Sequence, residues 1–157
     1  MGSVNDLKAE TQFSVFLPNR PGELRQVMQR LAQKRVNIIA VSMMDGTDHR
    51  VLRLVAENTP DTRSILHELD APSSETTVLT ATLPNRPGAL AEVVERLDEE
   101  HIQVLYAYCT TGVRNGRSLG VFKVSNLSKA MQVLAERRPR RHTLATAIRQ
   151  NGRGRRR

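Results

Sequence analysis

The chain has 157 residues, 39% of them hydrophobic and only 3% aromatic, with a formal charge of +8. That composition suffices for an aliphatic core and excludes wholesale disorder, while no stretch approaches the roughly 20 apolar residues of a membrane span. The charge is local: nine of the 24 basic residues lie in 137–157, which hold no acid, and residues 1–136 carry 15 basic against 16 acidic side chains. Charge blocks of this kind mark solvated or interacting tails. Cys109 stands alone, which excludes an intrachain disulfide and a Cys-rich metal site. Met1 to Thr11 is polar, without the apolar segment of a signal peptide, so residues 1–10 read as a polar lead-in and the chain as cytoplasmic.

An internal repeat organises the chain. Leu17-Pro18-Asn19-Arg20-Pro21-Gly22 recurs as Leu83-Pro84-Asn85-Arg86-Pro87-Gly88, an offset of 66. Val36, Ile38 and Val41 correspond to Ile102, Val104 and Ala107 at the same offset, which becomes 68 by Asn58 and Asn126. The two extra residues fall in a longer glycine-bearing turn between Gly112 and Gly116 of the second copy.

In chain order, Phe13 to Leu17 is a short apolar run ending at proline, the pattern of a strand. Leu24, Val27, Met28 and Leu31 then fall at i, i+3, i+4 and i+7, one face of a helix. Ile38 to Met44 and Val51 to Ala56 flank Asp45-Gly46-Thr47-Asp48, a hairpin signal. Ile65, Leu66 and Leu69 mark a second helix, and Thr76 to Leu79 a fourth strand that runs almost directly into the next copy. That copy repeats the order: a strand at Thr80 to Leu83, a helix over Leu90, Val93, Val94 and Leu97, strands at Val104 to Thr110 and Leu119 to Val124, and a helix over Ala130, Val133 and Leu134. Its closing strand is the weak point, with His142 to Ile148 as the candidate. Met43 and Met44 read as core fillers, and Cys109 as a small buried residue.

The order is β-α-β-β-α-β twice, an α+β fold of two ferredoxin-like units in tandem. Units of about 65 residues are marginal alone, so their antiparallel sheets are expected to pair side by side with the helices on one face. The expected boundaries are 11–78 and 79–148 for the two units and 149–157 for an arginine-rich disordered tail.

Asn19-Arg20-Pro21-Gly22-Glu23-Leu24 followed by Val36-Asn37-Ile38 resembles the ACT domain. The layout over residues 11–136 is similar to stand-alone tandem ACT pairs that bind amino acids, and to the regulatory domain of phosphoglycerate dehydrogenase. The resemblance implies a free amino acid held between adjacent units, beside the loop that joins the first strand to the first helix. Unpaired N–H groups and the positive end of a helix suit a carboxylate there. It implies ligand contacts at Asn19 and Asn37, matched in the second copy by Asn85 and by Gln103, where glutamine departs from the pattern. The candidate ligand-binding set is therefore Asn19, Pro21, Gly22, Glu23, Leu24, Asn37 and Ile38 in the first copy, with Asn85, Gly88, Ala89, Leu90, Gln103 and Val104 in the second. Tyr106 and Tyr108, the only phenols and two residues apart on one strand, join it as candidate pocket residues. Each has a plainer reading: proline and glycine start helices without a ligand, Asn37 suits a turn, and tyrosines pack half-buried.

No Ser/His/Asp, Cys/His or metal-ligand spacing is present, and Gly112 to Gly116 lacks the Lys-Ser/Thr of a phosphate-binding loop. The expected protein is thus a non-catalytic regulatory sensor, with no cofactor or metal, that forms a homodimer and regulates an enzyme in trans. The alternative is a ligand-free ACT assembly module. In it the basic segment Arg137 to Arg157 tethers the protein to nucleic acid or an acidic partner through phosphate neutralisation. The strands themselves lack the aromatic pattern of an RNA reader: Val51 to Ala56 has none and Leu119 to Val124 only Phe122.

Overall fold

The computed structural model describes residues 4–111 and 116–136. The proposed closing strand at His142 to Ile148, the arginine tail and most of the Gly112 to Gly116 turn lie outside them. The elements run β1 (Asn5–Pro18), α1 (Glu23–Gln33), β2 (Ile38–Met44), β3 (His49–Ala56), α2 (Thr59–Glu68), β4 (Ser73–Pro84), α3 (Ala89–Glu99), β5 (Val104–Thr111), β6 (Arg117–Val124) and α4 (Leu127–Ala135). The six strands form one antiparallel sheet in the order β2-β3-β1-β4-β6-β5.

The repeat is visible in the helix ends. α2 and α4 are both capped by an asparagine: Asp61 N–H donates to Asn58 Oδ1 and Lys129 N–H to Asn126 Oδ1, each at 3.0 Å. Such caps satisfy backbone donors that the first turn leaves free. α1 and α3 both stop where a residue turns left-handed, Arg35 at φ 56° and His101 at φ 57°. The next N–H, of Val36 or Ile102, then bonds back to Leu31 or Leu97 at 2.9 and 2.8 Å, the six-residue closure that absorbs orphan carbonyls.

β1 and β4 are long because each serves both units. The second half of β1 pairs with β3 from Gln12 to Pro18, as a first strand should. The first half runs beside β4, with Ala9 opposite Leu79 and Lys8 opposite Thr80. It thereby fills, beside that half of β4, the position of a fourth strand for the second unit. Residues expected to be lead-in are thus strand from Asn5 onward, and Val4 and Leu7 pack on the second core. Their alternation explains it: Leu7 and Ala9 face one way, Asp6, Lys8 and Glu10 the other.

Strand parity assigns the faces, because residues directly opposite each other share one. Phe13, Val15, Leu17, Leu52 and Leu54 pack under α1 and α2; Leu79, Ala81, Leu83, Phe122 and Val124 pack under α3 and α4. The register puts both sets on the same side, so all four helices cover one face. The other face is concave. Ala40, Val55, Val78 and Val121 form a third, smaller core there, and the outermost strands β2 and β5 come within contact of each other across the curl.

The outer strands also explain two departures from expectation. Met43 and Met44 are 42% and 47% exposed, and Cys109 is exposed. β2 and β5 are the outermost strands, each paired on one side only, so their side chains have fewer neighbours than those of the inner strands. Leu90 and Val94, on the expected buried face of α3, remain 43% and 40% exposed.

Candidate ligand-binding cavity

The two Asn-Arg-Pro-Gly loops start α1 and α3. Gly22 and Gly88 occupy the N-cap positions at φ 96° and 86°, which only glycine adopts freely. Among the described residues, no side chain caps either helix. Each loop arginine folds onto an acid of its own helix: Arg20 pairs with Glu23, and both Glu92 oxygens accept from Arg86 Nη2 at 2.7 and 2.8 Å. Glu23, in the first turn, already supplies the negative charge that the dipole of α1 favours.

The register also fixes which candidates share an end of the sheet. Pro18 lies opposite His49, so Asn19 sits at the end that carries the turn between β2 and β3. Asn37 precedes β2 at the opposite end, where its Nδ2 donates to Glu57 Oε1 at 2.9 Å. Because β1 and β4 are antiparallel, Asn85 shares the end of Asn37, and Gln103 the end of Asn19. Asn19 and Asn37 therefore do not converge within one unit; each shares its end of the sheet with the counterpart of the other.

Tyr106 and Tyr108 point onto the concave face and are engaged there. Gln12, 0% exposed, donates from Nε2 to Tyr106 Oη at 2.7 Å and accepts from Tyr108 Oη at 3.0 Å. The Arg53 guanidinium stacks over the Tyr106 ring at 4.1 Å from its centroid, a favourable cation–π distance. Burial pushes the Tyr108 phenol up to about 12, with its neighbour Tyr106 adding to the shift. These four residues join β5 of the second unit to β1 and β3 of the first.

A cavity of about 460 Å³ opens on the same face, lined by Asp6, Lys8, Glu10, Ile39, Glu57, Thr80, Thr82 and Leu119. Both units contribute, and it shares no residue with the tyrosine cluster. Asp6 sits in an irregularity of β1 at φ 51°, a conformation aspartate tolerates better than most residues. Such bulges re-aim side chains. Among the described residues, the side chains of Asp6, Lys8 and Glu10 form no ion pair.

The repeat explains why this part is open. The counterparts of Gln12, Tyr106 and Arg53 in the other copy are Val78, Ala40 and Val121. Large polar side chains fill one side of the concave face; their small apolar counterparts pack into the third core, and the cavity opens past Ile39 and Leu119, which rest on that core. Asp6, Lys8, Glu10 and Glu57 correspond in turn to Pro72, Ser74, Thr76 and Ser125, so all four charges belong to the open side. None of the eight lining residues was among the candidates, although Ile38 and Asn37 adjoin Ile39 and Glu57. The alternation of Asp6, Lys8, Glu10 and Gln12 with Leu7, Ala9, Thr11 and Phe13 was the signal that could have found them.

Residues 9–141 match the ACT domain pair family. The chain belongs to that family. Protein BT0572 from Bacteroides thetaiotaomicron is similar in structure, at 29% identity, with 82% of this chain and 88% of that one covered and a TM-score of 0.76. The ligand-free regulatory subunit of aspartate kinase from Thermus thermophilus is 11% identical, with 83% and 93% covered and a TM-score of 0.63. Aspartokinase alpha and beta subunits follow at 16%, with 84% and 96% covered and a TM-score of 0.59. These two likenesses are of fold. A comparison with curated proteins gives no significant match. Among the described residues of this ACT pair, no helix is long and apolar enough to cross a membrane.

Proposed function

We propose that this ACT pair is a non-catalytic regulatory sensor that binds a free amino acid between its two units. The observation that carries the reading is the cavity: it is built from both halves of the chain and presents both signs of charge. Lys8 suits a carboxylate; Asp6, Glu10 or Glu57 suits an ammonium; and the Thr80 and Thr82 hydroxyls both donate and accept. The loops at Gly22 and Gly88 serve in this reading as helix starts, and Asn37 holds Glu57 at the rim. The likeness to a regulatory subunit supports the regulatory part, and an enzyme acted on in trans is the partner this reading implies.

A ligand bridging the units acts by population shift, to the extent that it prefers one relative arrangement of the halves. Thermal unfolding of the full chain against each of the twenty amino acids tests the reading. A ligand at about 100 times its Kd adds roughly 2.7 kcal/mol of stability, a rise of several degrees. One amino acid, or a few of related chemistry, is expected to give that rise. No shift with any of the twenty would refute amino-acid sensing.

A further inference from the structure

We propose that the cavity selects an amino acid whose own side chain is cationic, and that each chain holds one. The inference rests on the amino-acid reading above and specifies its ligand class. Among the described residues, the lining carries three acids, Asp6, Glu10 and Glu57, against one base, Lys8. An amino-acid head group uses one of each: Lys8 for its carboxylate and one acid for its ammonium. Two carboxylates are left around the same volume. A neutral ligand brings them no counter-charge, and an acidic one adds a further like charge, which is destabilising at short range. A cation at the end of the ligand's side chain is the complement that balances the lining.

The rest of the cavity fits such a ligand. Ile39 and Leu119 provide apolar wall for a methylene stem, which long cationic side chains bury while their heads stay polar. The volume, about 460 Å³, lies in the range of small-molecule pockets. A metal ion is a poorer complement: among the described residues no three His, Cys, Asp or Glu side chains are grouped to hold one. The stoichiometry follows from the repeat, since the counterparts of Asp6, Lys8, Glu10 and Glu57 are the uncharged Pro72, Ser74, Thr76 and Ser125, and Gln12, Tyr106 and Arg53 occupy the other side of the concave face.

Calorimetric titration of the full chain with L-arginine and L-lysine, against their uncharged counterparts L-citrulline and L-norleucine, tests this. One cationic amino acid is expected to bind at a ratio of one per chain, at least about tenfold tighter than its uncharged counterpart, with affinity falling as salt rises. Glu10→Gln is expected to weaken it about fivefold while leaving the strand intact. Thr82→Phe, which places at the cavity wall the residue found at the corresponding position Phe16, is expected to abolish it. Citrulline or norleucine binding as tightly as its charged counterpart would overturn the charge selection while leaving the amino-acid reading in place. Arginine or lysine binding untouched by both variants would put the ligand elsewhere and overturn the site. Absence of binding by all twenty amino acids would overturn both readings.

Discussion

The two sides of the concave face come from the same repeat yet do opposite things. On one, Gln12, Tyr106, Tyr108 and Arg53 interlock across β1, β3 and β5. On the other, the corresponding Val78, Ala40 and Val121 are small and pack together in the third core, and the charged cavity opens past Ile39 and Leu119. A duplicated unit makes two equivalent sites by default. Differences at a few interior positions here put a latch between the halves on one side and the charged cavity on the other. The sheet ladder is common to both sides, so fold and site separate: strand pairing holds the pair together, and the side chains on the concave face give each side its character.

The largest effect expected from disturbing this contrast is at Gln12. Gln12→Val gives the latch the residue of its counterpart Val78 and leaves both phenols without the amide that joins them. Urea denaturation should show a loss of about 2 kcal/mol, in the range for partly buried groups deprived of their partner. A loss below about 0.5 kcal/mol, the level of an ordinary surface change, would mean that the phenols find water as readily as Gln12.

A smaller, pH-dependent effect belongs to Tyr108. Its folded pKa is raised to about 12 from an ordinary value of 10.0. The unfolded chain therefore gives up this proton first. The stabilisation is complete below pH 10 and is lost as pH rises through the folded value. Stability measured between pH 10 and 12 should fall less steeply in Tyr108→Phe than in the parent chain. Identical slopes would show that the phenol is as free to ionise in the folded chain as in the unfolded one.

Most of the fold was legible in the sequence because a repeat constrains it twice. β2 from Ile38 to Met44 and the asparagine caps at Asn58 and Asn126 follow from patterning and local chemistry alone. The role of Asn5 to Glu10 was hidden because three charged side chains lower the mean hydropathy of a strand whose period is nevertheless two. What pairs with it is a tertiary matter: the second unit's fourth-strand position beside β4 is filled by Asn5 to Glu10, 68 to 77 residues away in sequence (Glu10 opposite Val78, Asn5 opposite Thr82). The cavity escaped notice for the same reason, since its charges come from that strand. The curl of the sheet, which brings Tyr106 over Arg53, arises from accumulated strand twist and has no local signature.

The measurement that bears most directly on the cavity is an amide NMR titration of the full chain with the amino acid that stabilises it most among the twenty. Shifts concentrated at Asp6, Lys8, Glu10, Ile39, Glu57, Thr80, Thr82 and Leu119 are expected, with the Tyr106 and Tyr108 strand changing less. Shifts confined to Asn19 to Leu24 and Asn85 to Leu90 would place the ligand at the helix starts and contradict the assignment of the open side of the concave face as the binding site.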